Sequence, residues 1–322
     1  MSSLQPWIRQ VELIIGPLLG WRTGDDAVEG PLQPEVVRIR SNGDLDSLRV
    51  RFTVHKHGLG TSVPTHIDVY NLSQTLRNAL RTQGLAVVLN VGWQSDSDLT
   101  KIFSGNLQAS YSRREGPDII TTLLCMDAGG ALMRTYVPPP RVDGGDSDLY
   151  DYFSAPGTTI KDAVLFLAAN FPDVALDPEN VQIDDELIIG PGGHSYYGLV
   201  MDCLDDLARA YGFSWTVVNG AFRATMDGKP LQGPVVRVDS ANGFLLRAEP
   251  VFSSVFQVPV GLIIQTMLDP RINPEGVIEL VSAVNPSLTG DYMATTVVHS
   301  GDTHSTQWVT TSEVMLVGNA YA

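Results

Sequence analysis

The sequence predicts a mainly β protein in which two antiparallel β-barrel domains flank a small α/β domain. Thirty glycines and twenty prolines are spread over 322 residues, of which only 18% are charged, and this composition is typical of loop-rich β proteins. Apolar and polar residues alternate in the first and last thirds of the chain. Helical periodicity is confined to the middle third, which follows a proline-rich boundary at residues 137–140.

The first third predicts a small antiparallel barrel or sandwich. From residue 48 onward, apolar side chains alternate with polar ones, as expected for a half-buried strand. The apolar members are Leu48, Val50, Phe52 and Val54. Further strands are predicted at residues 67–70, 85–91, 101–111 and 119–126. A short helix is predicted at residues 74–83, with Ser73 as its N-cap.

The middle third predicts two helices and a hairpin. Residues 160–171 place their apolar side chains on one helical face, and Pro172 ends this helix. A second helix is predicted at residues 196–211, with Ser195 as N-cap and Gly212 as the stop. A hairpin is predicted at residues 213–226, because Asn-Gly at 219–220 is the dipeptide that a tight two-residue turn favours.

The last third predicts further strands and a closing hairpin. The first hairpin strand, residues 292–299, is expected to end at a Ser-Gly-Asp-Thr turn in which Gly301 adopts a positive φ. The second strand is expected at residues 306–311. The predicted division of the chain is an N-terminal arm (1–35), a first barrel (36–140), an α/β domain (141–230) and a second barrel (231–322).

Composition limits the classes of partner. No apolar run reaches the roughly 18–20 residues of a membrane span, so we expect a soluble chain without a secretion signal or lipid motif. Cys125 and Cys203 lie in apolar patterns and are predicted to be buried thiols. A net charge of −15 argues against a nucleic-acid-binding surface, which requires clustered Lys and Arg.

Histidines and acidic pairs are the candidates for chemistry. His55 and His57 share a strand face, and with His66 they could ligate zinc, but a solvated strand face is favoured. His299 and His304 bracket Gly301 and Asp302 and could form a metal-ligand loop, but a hairpin turn in which Asp302 accepts backbone N–H groups is favoured. Acidic groups that could provide a general acid and base lie at 143–146, 184–186 and 205–206.

No hydrolase motif supports these groups. The sequence contains no Gly-x-Ser-x-Gly, His-Glu-x-x-His or Cys-x-x-Cys pattern. The stretch 192–195 is predicted to cap a helix rather than to bind an anion. We therefore predict no catalytic residue, no cofactor and no metal. A cell-wall hydrolase or a metal-dependent hydrolase stays open as the alternative function.

The order of several short motifs resembles that of tail hub proteins, the central baseplate component of contractile-tailed phages. The motifs of the first third are 52–54 (FTV), 67–73 (IDVYNLS), 84–93 (GLAVVLNVGW), 102–107 (IFSGNL) and 114–118 (REGPD). Residues 157–159 (GTT) resemble the cap of the family's helical insertion, and residues 291–308 resemble its closing hairpin. The resemblance covers most of residues 48–316, and it depends on the order of the motifs.

This resemblance implies two tail-tube-like barrels in one chain and a structural, non-enzymatic role. Three copies would form a ring that adapts a six-fold tail tube to a three-fold central spike, in the tail baseplate of a virion. The implied partners are other copies of this chain, the tube and spike proteins, and baseplate wedge or sheath-initiating proteins. DNA would pass through an acidic lumen without specific binding. A phage-derived injection machine is an alternative setting for the same hub.

Interface residues are expected at the barrel edges and in the N-terminal arm. The candidates are Trp7, Trp21, Trp93, Asp302 and Trp308.

Overall fold

A computed structural model describes residues 8–16, 36–42, 46–58, 63–81, 85–93, 96, 98–137, 153–172, 174–252 and 259–317. The strands are β1 (Arg9–Gly16), β2 (Val37–Ser41), β3 (Val50–His57), β4 (Thr65–Tyr70), β5 (Ala86–Trp93), β6 (Thr100–Glu115), β7 (Asp118–Met126), β8 (Phe153–Ser154), β9 (Val181–Gln182), β10 (His194–Ser195), β11 (Phe213–Val218), β12 (Ala221–Met226), β13 (Val236–Asp239), β14 (Leu245–Phe252), β15 (Pro259–Met267), β16 (Val277–Val281), β17 (Gly290–Asp302) and β18 (Trp308–Leu316). The helices are α1 (Gln74–Ala79), α2 (Gly129–Leu132), α3 (Ile160–Ala168) and α4 (Val200–Tyr211).

Thirteen of the described strands form one sheet, so the two β regions are continuous with each other. The main path runs β14-β15-β18-β17-β3-β4-β7-β6-β5-β1-β2, and β13 and β16 branch from β17. Strand β17 joins the regions, because its first half pairs with β16 and its second half pairs with β3. The predicted class, mainly β with a small α-containing insertion, is confirmed. The domain boundaries stay a prediction.

Three hydrophobic cores follow the three regions of the chain. One lies between the strands of the first region and is completed by Leu268 and Trp308 from the last region. A second is built from α3, α4 and the β11–β12 hairpin. The third lies under β13–β18. The alternation predicted for β3 is confirmed, since Val50, Phe52 and Val54 are all buried.

Local signals in the middle region are confirmed at several points. Thr159 caps α3 by accepting a hydrogen bond from the backbone N–H of Asp162. Gly212 ends α4 with φ 70°. Asn219 and Gly220 join β11 to β12 with φ values of 55° and 77°, the pair of positive angles that a type I′ turn requires.

The predicted start of the second helix is wrong. Helix α4 begins at Val200, and its N-cap Leu199 makes no side-chain capping bond. Ser195 instead pairs with Phe153 in the β8–β10 ladder. Gly198 has φ 90°, a conformation that no right-handed helix can include, so the helix cannot extend back to residue 196.

The predicted C-terminal turn is also displaced. Strand β17 continues through Gly301 and Asp302, and the turn follows at residues 303–307. Gly301 therefore serves close packing: a Cβ there would lie 2.4 Å from the Phe52 ring and 2.8 Å from the Trp308 ring. In the first region Ser73 caps α1 as predicted, but α1 ends at Ala79.

Candidate functional site

The pairing of β3 with β17 forms the seam between the two β regions. The ladder runs from Thr296 opposite His57 to Asp302 opposite Arg51. Backbone hydrogen bonds continue it at both ends, from Gly58 N to Thr295 O (3.0 Å) and from Thr303 N to Val50 O (3.0 Å). The seam therefore determines how the two β regions are placed relative to each other.

Asp302 is a buried acid at one end of the seam. Its carboxylate accepts hydrogen bonds from Arg49 Nη2 (2.6 Å) and Nε (3.0 Å) and from the backbone N–H of His304 (2.9 Å). Burial acts to raise the pKa of Asp302, but these donors outweigh burial and hold the pKa below its ordinary value. The predicted turn role of Asp302, accepting a backbone N–H, is confirmed.

Trp308 is the hydrophobic centre of the same end. Its side chain is 1% exposed, and its ring makes edge contacts with Phe52 (centroids 5.6 Å apart) and Trp93 (5.9 Å). The guanidinium of Arg9 lies 5.7 Å from the Trp308 ring centroid and donates to the carbonyls of Asp302 and Thr306. Strand β1 is thereby connected to the C-terminal hairpin.

The structure brings three of the five predicted interface residues together. Trp93, Asp302 and Trp308 meet at this end of the seam, and Asp302 and Trp308 are buried within the chain. In this conformation these two side chains support the packing of the chain and offer no surface to a neighbouring subunit. Trp7 and Trp21 lie outside the described residues. The role of these five residues in an interface stays a prediction.

Exposed strand edges are the features that a partner can reach. Among the described strands, β14 pairs with β15 alone and β2 pairs with β1 alone. The two edges differ in chemistry. Strand β14 and the residue before it expose Phe244, Leu246, Val251 and Phe252. Strand β2 instead carries Arg38 and Arg40, which both form ion pairs with Glu12. Charge protects an edge from pairing, and an apolar edge favours it.

Buried charges lie where the α/β region meets the seam. Lys56 is buried and donates to Asn273 Oδ1 (2.8 Å), and burial lowers its pKa to about 7. Asp127 accepts the N–H groups of Asn219 (2.7 Å) and Gly220 (3.0 Å), and burial raises its pKa to about 7. Sequence analysis missed Lys56, although it falls on the buried parity of β3 after Val54.

A cavity of about 600 Å³, which we call the junction pocket, opens beside these charges. It is lined by His57, Gly58, Ser214, Thr225, Met226, Asp227, Gly228, Lys229, Glu275, Met293, Ala294, Thr295, Thr296 and Met315. Glu275 is 4% exposed, and burial raises its pKa to about 7. No sequence pattern marked Glu275, because it lies in a turn before β16 and belongs to no run of adjacent acidic residues.

The candidates for metal and acid chemistry lie apart from this pocket or at its edge. His66 lies opposite Thr53 on β4, close to His55 as expected, but the described residues contain no group of three or more His, Cys, Asp or Glu that could hold a metal. His299 is not in a loop; it is buried in β17 beside Thr310 Oγ1 (2.9 Å). Asp205 accepts the indole N–H of Trp215 (2.9 Å).

Cys125 and Cys203 are buried free thiols, as predicted. No described helix has the length and apolar character that crossing a membrane requires.

The fold is that of phage tail proteins. No protein family model and no curated protein matches the sequence. Among solved structures, the tail protein of Neisseria meningitidis MC58 matches with a TM-score of 0.60 at 10% identity, over 98% of each chain. The 43 kDa tail protein of prophage MuSo2 from Shewanella oneidensis matches with a TM-score of 0.58 at 9% identity, over 95% of this chain and 96% of that one.

A secretion-system component has the same fold. The structure of an Escherichia coli protein, described as a component of the type VI secretion system with structural similarity to the T4 tail proteins gp27 and gp5, matches with a TM-score of 0.53 at 9% identity. The match covers 85% of this chain and 74% of that one. The resemblance predicted from the sequence therefore holds at the level of the fold.

Proposed function

We propose that this chain is a structural subunit of a phage tail baseplate, a hub whose three copies form a ring between the tail tube and the central spike. The observation that carries the proposal is the fold likeness to prophage tail proteins over nearly the whole chain. The role is mechanical, and it assigns no catalytic step, cofactor or metal to the chain.

The continuous sheet supports a ring of this kind. A subunit that contributes two β regions through one sheet gives a trimer six related β units, which suits a six-fold tube while keeping three-fold symmetry for a spike. The wide seam between β3 and β17 holds these units in a fixed relation. On this proposal the partners are other copies of this chain, the tube and spike proteins, and wedge or sheath-initiating proteins of the baseplate.

The apolar edge at β14 is the proposed contact between subunits. An exposed strand with unpaired backbone groups can continue a neighbouring sheet, and its apolar side chains add buried area. The net charge of −15 fits a channel through which DNA passes without being bound. The proposed location is the virion tail, with assembly in the host cytoplasm.

The test is the solution mass of the purified chain together with electron-microscope top views. We expect a mass about three times the 34.9 kDa chain and a ring with six lobes and an open centre. Phe252→Asp should reduce the trimer to monomer. Tyr197→Asp is the matched control, because Tyr197 is an aromatic residue that is 86% exposed and belongs to the α/β region rather than to β14. A chain that stays monomeric when mixed with its spike protein would contradict the proposal.

The same hub in a phage-derived injection machine is a second candidate. The fold likeness to the Escherichia coli secretion-system component favours it. Mass spectrometry of purified particles separates the two settings: the chain should occur in particles that contain DNA if it serves a virion, and in particles without DNA if it serves an injection machine.

A further inference from the structure

The junction pocket contains an acid, Glu275, for which the described residues provide no hydrogen-bond partner. Within the described part of the chain, neither carboxylate oxygen of Glu275 accepts a hydrogen bond. The positive charge of Arg223 acts on Glu275 and lowers its pKa, but less than burial raises it. The Nε of Arg223 is itself buried without a hydrogen-bond acceptor among the described residues. A buried carboxylate without a partner is costly, and native proteins retain few of them.

The backbone at Glu275 carries a second cost. Glu275 has φ 65°, in the left-handed region that favours glycine, and the next residue is Gly276. Its backbone N–H donates to Ala294 O (2.7 Å), which fixes the residue beside β17. Strain of this kind persists where the surroundings enforce it and is frequent at ligand sites. A strained backbone and an unpartnered acid therefore coincide in the wall of one pocket.

The other polar groups of the pocket have partners in the chain. Lys229 pairs with Asp184 (3.1 Å), and Asp227 accepts the hydroxyl of Ser214 (2.5 Å). His57 contacts Thr296 Oγ1 through its ring nitrogen (3.4 Å). Glu275 is thus distinct among the ionisable groups that line the described pocket.

The remaining wall is largely apolar and adaptable. Met226, Met293 and Met315 line it together with Ala294. Methionine side chains are flexible and polarisable, and they adjust to ligands of different shape. A volume of about 600 Å³ lies within the usual range of small-ligand pockets, and such pockets are frequent between domains.

We propose that the junction pocket binds a small organic cation, with an ammonium or guanidinium group against Glu275 and an apolar body against the methionines. In this conformation both carboxylate oxygens of Glu275 are shielded from solvent, so the side chain would turn toward the cavity on binding, and the ligand would then supply the hydrogen-bond donors that Glu275 lacks. The pair would be stronger there than in water because the site is buried. Bound in this way, the ligand would bridge the α/β region and β17. The proposal does not depend on the hub function.

The test uses three probes of one shape and different charge on the full chain: hexylammonium, 1-hexanol and hexanoate, each titrated by calorimetry. We expect hexylammonium to bind at least about tenfold more tightly than the other two, because only the cation pairs with Glu275. Methyl NMR signals of Met226, Met293 and Met315 should shift on binding. The signal of Met133, which is exposed in the segment after α2, should not.

Glu275→Gln keeps the shape of the side chain and removes its charge. Glu275→Gln should weaken the binding of hexylammonium about tenfold to a hundredfold and leave the affinity for 1-hexanol unchanged. Asp185→Asn, on the exposed surface, should alter neither affinity. Equal affinity for the three probes, no binding of hexylammonium, or unchanged binding by Glu275→Gln would overturn the proposal. If Glu275→Gln does not fold, the three probes and the methionine shifts on the unmodified chain still decide it.

Discussion

A buried acid lies at each end of β17, and the surroundings of the two acids differ. At the C-terminal end, Asp302 accepts hydrogen bonds from Arg49 and from the His304 N–H, and its pKa lies below the ordinary value. Beside the N-terminal half, Glu275 has no hydrogen-bond donor within the described residues, and burial raises its pKa to about 7.

The difference shows that a guanidinium in direct contact, together with a backbone N–H, can outweigh the effect of burial on the pKa of an acid beside this sheet. Asp302 is charged and contributes to stability, because its donors replace the water that it loses. Glu275 loses water without replacement and costs stability whenever it is charged. The Asp302 end of β17 therefore stabilises the contact between the two β regions. At the other end, the carboxylate oxygens of Glu275 accept no hydrogen bond from the described residues.

Removing the hydrophobic centre of the Asp302 end should have the largest effect. Trp308→Ala deletes a buried ring that contacts Phe52, Trp93 and Arg9, and we expect it to lower the free energy of unfolding by about 3–5 kcal/mol. Denaturant unfolding measures this loss. Tyr197→Ala is the control, since Tyr197 is 86% exposed and should change little. A small loss at Trp308 would mean that this end does not hold the two β regions together.

Neutralising Asp302 should have the next largest effect. Asp302→Asn removes the charge that Arg49 pairs with, and we expect a loss of about 1.5–3 kcal/mol at pH 7. Because the folded pKa is lowered, the contribution is present above the unfolded value near 3.8 and is lost as the pH falls through the folded pKa. The difference in free energy of unfolding between the native chain and Asp302→Asn should therefore decrease as the pH falls through the folded pKa of Asp302. Asp206→Asn, in an exposed pair with Arg209, should produce no comparable gap.

Gly301→Ala tests the close packing at the same end. An added Cβ would overlap the rings of Phe52 and Trp308, so we expect a loss of about 1–3 kcal/mol in the free energy of unfolding. Gly233→Ala is the matched control, because a Cβ there meets no atom within 4 Å. Equal effects of the two substitutions would show that the seam can open to accept a methyl group.

The smallest expected effect has the opposite sign. Glu275→Gln should raise the free energy of unfolding by about 1–2 kcal/mol at pH 8, because the buried charge is removed. The folded pKa lies above the unfolded one, so native stability should fall as the pH rises from about 4.5 to about 7. Thermal unfolding from pH 5 to pH 8 should show a steeper decline for the native chain than for the variant. Identical slopes would show that Glu275 has a partner in solution.

Local elements were predictable because their signals lie within a few residues. The alternation in β3, the Asn219-Gly220 turn and the Gly212 stop each depend on neighbours in the chain, and each is confirmed. The predicted start of α4 was wrong. Ser195 has a side chain that can cap a helix, but the positive φ of Gly198 prevents a helix from running from Ser195 into α4. Gly301 was assigned to a turn because a glycine in sequence does not reveal which rings approach it.

The sequence by itself determined the mainly β class and the position of the helical insertion, since these follow from periodicity and composition. The resemblance to tail hub proteins came separately, from the order of several short motifs. Only the tertiary structure decided the candidate sites. Arg49 and Asp302 are 253 positions apart, and they meet because β3 pairs with β17. Glu275 becomes a buried acid without a hydrogen-bond partner among the described residues, because regions that are distant in sequence pack around it. Pairing across such distances depends on the cooperative fit of whole strands, which no short stretch of sequence encodes.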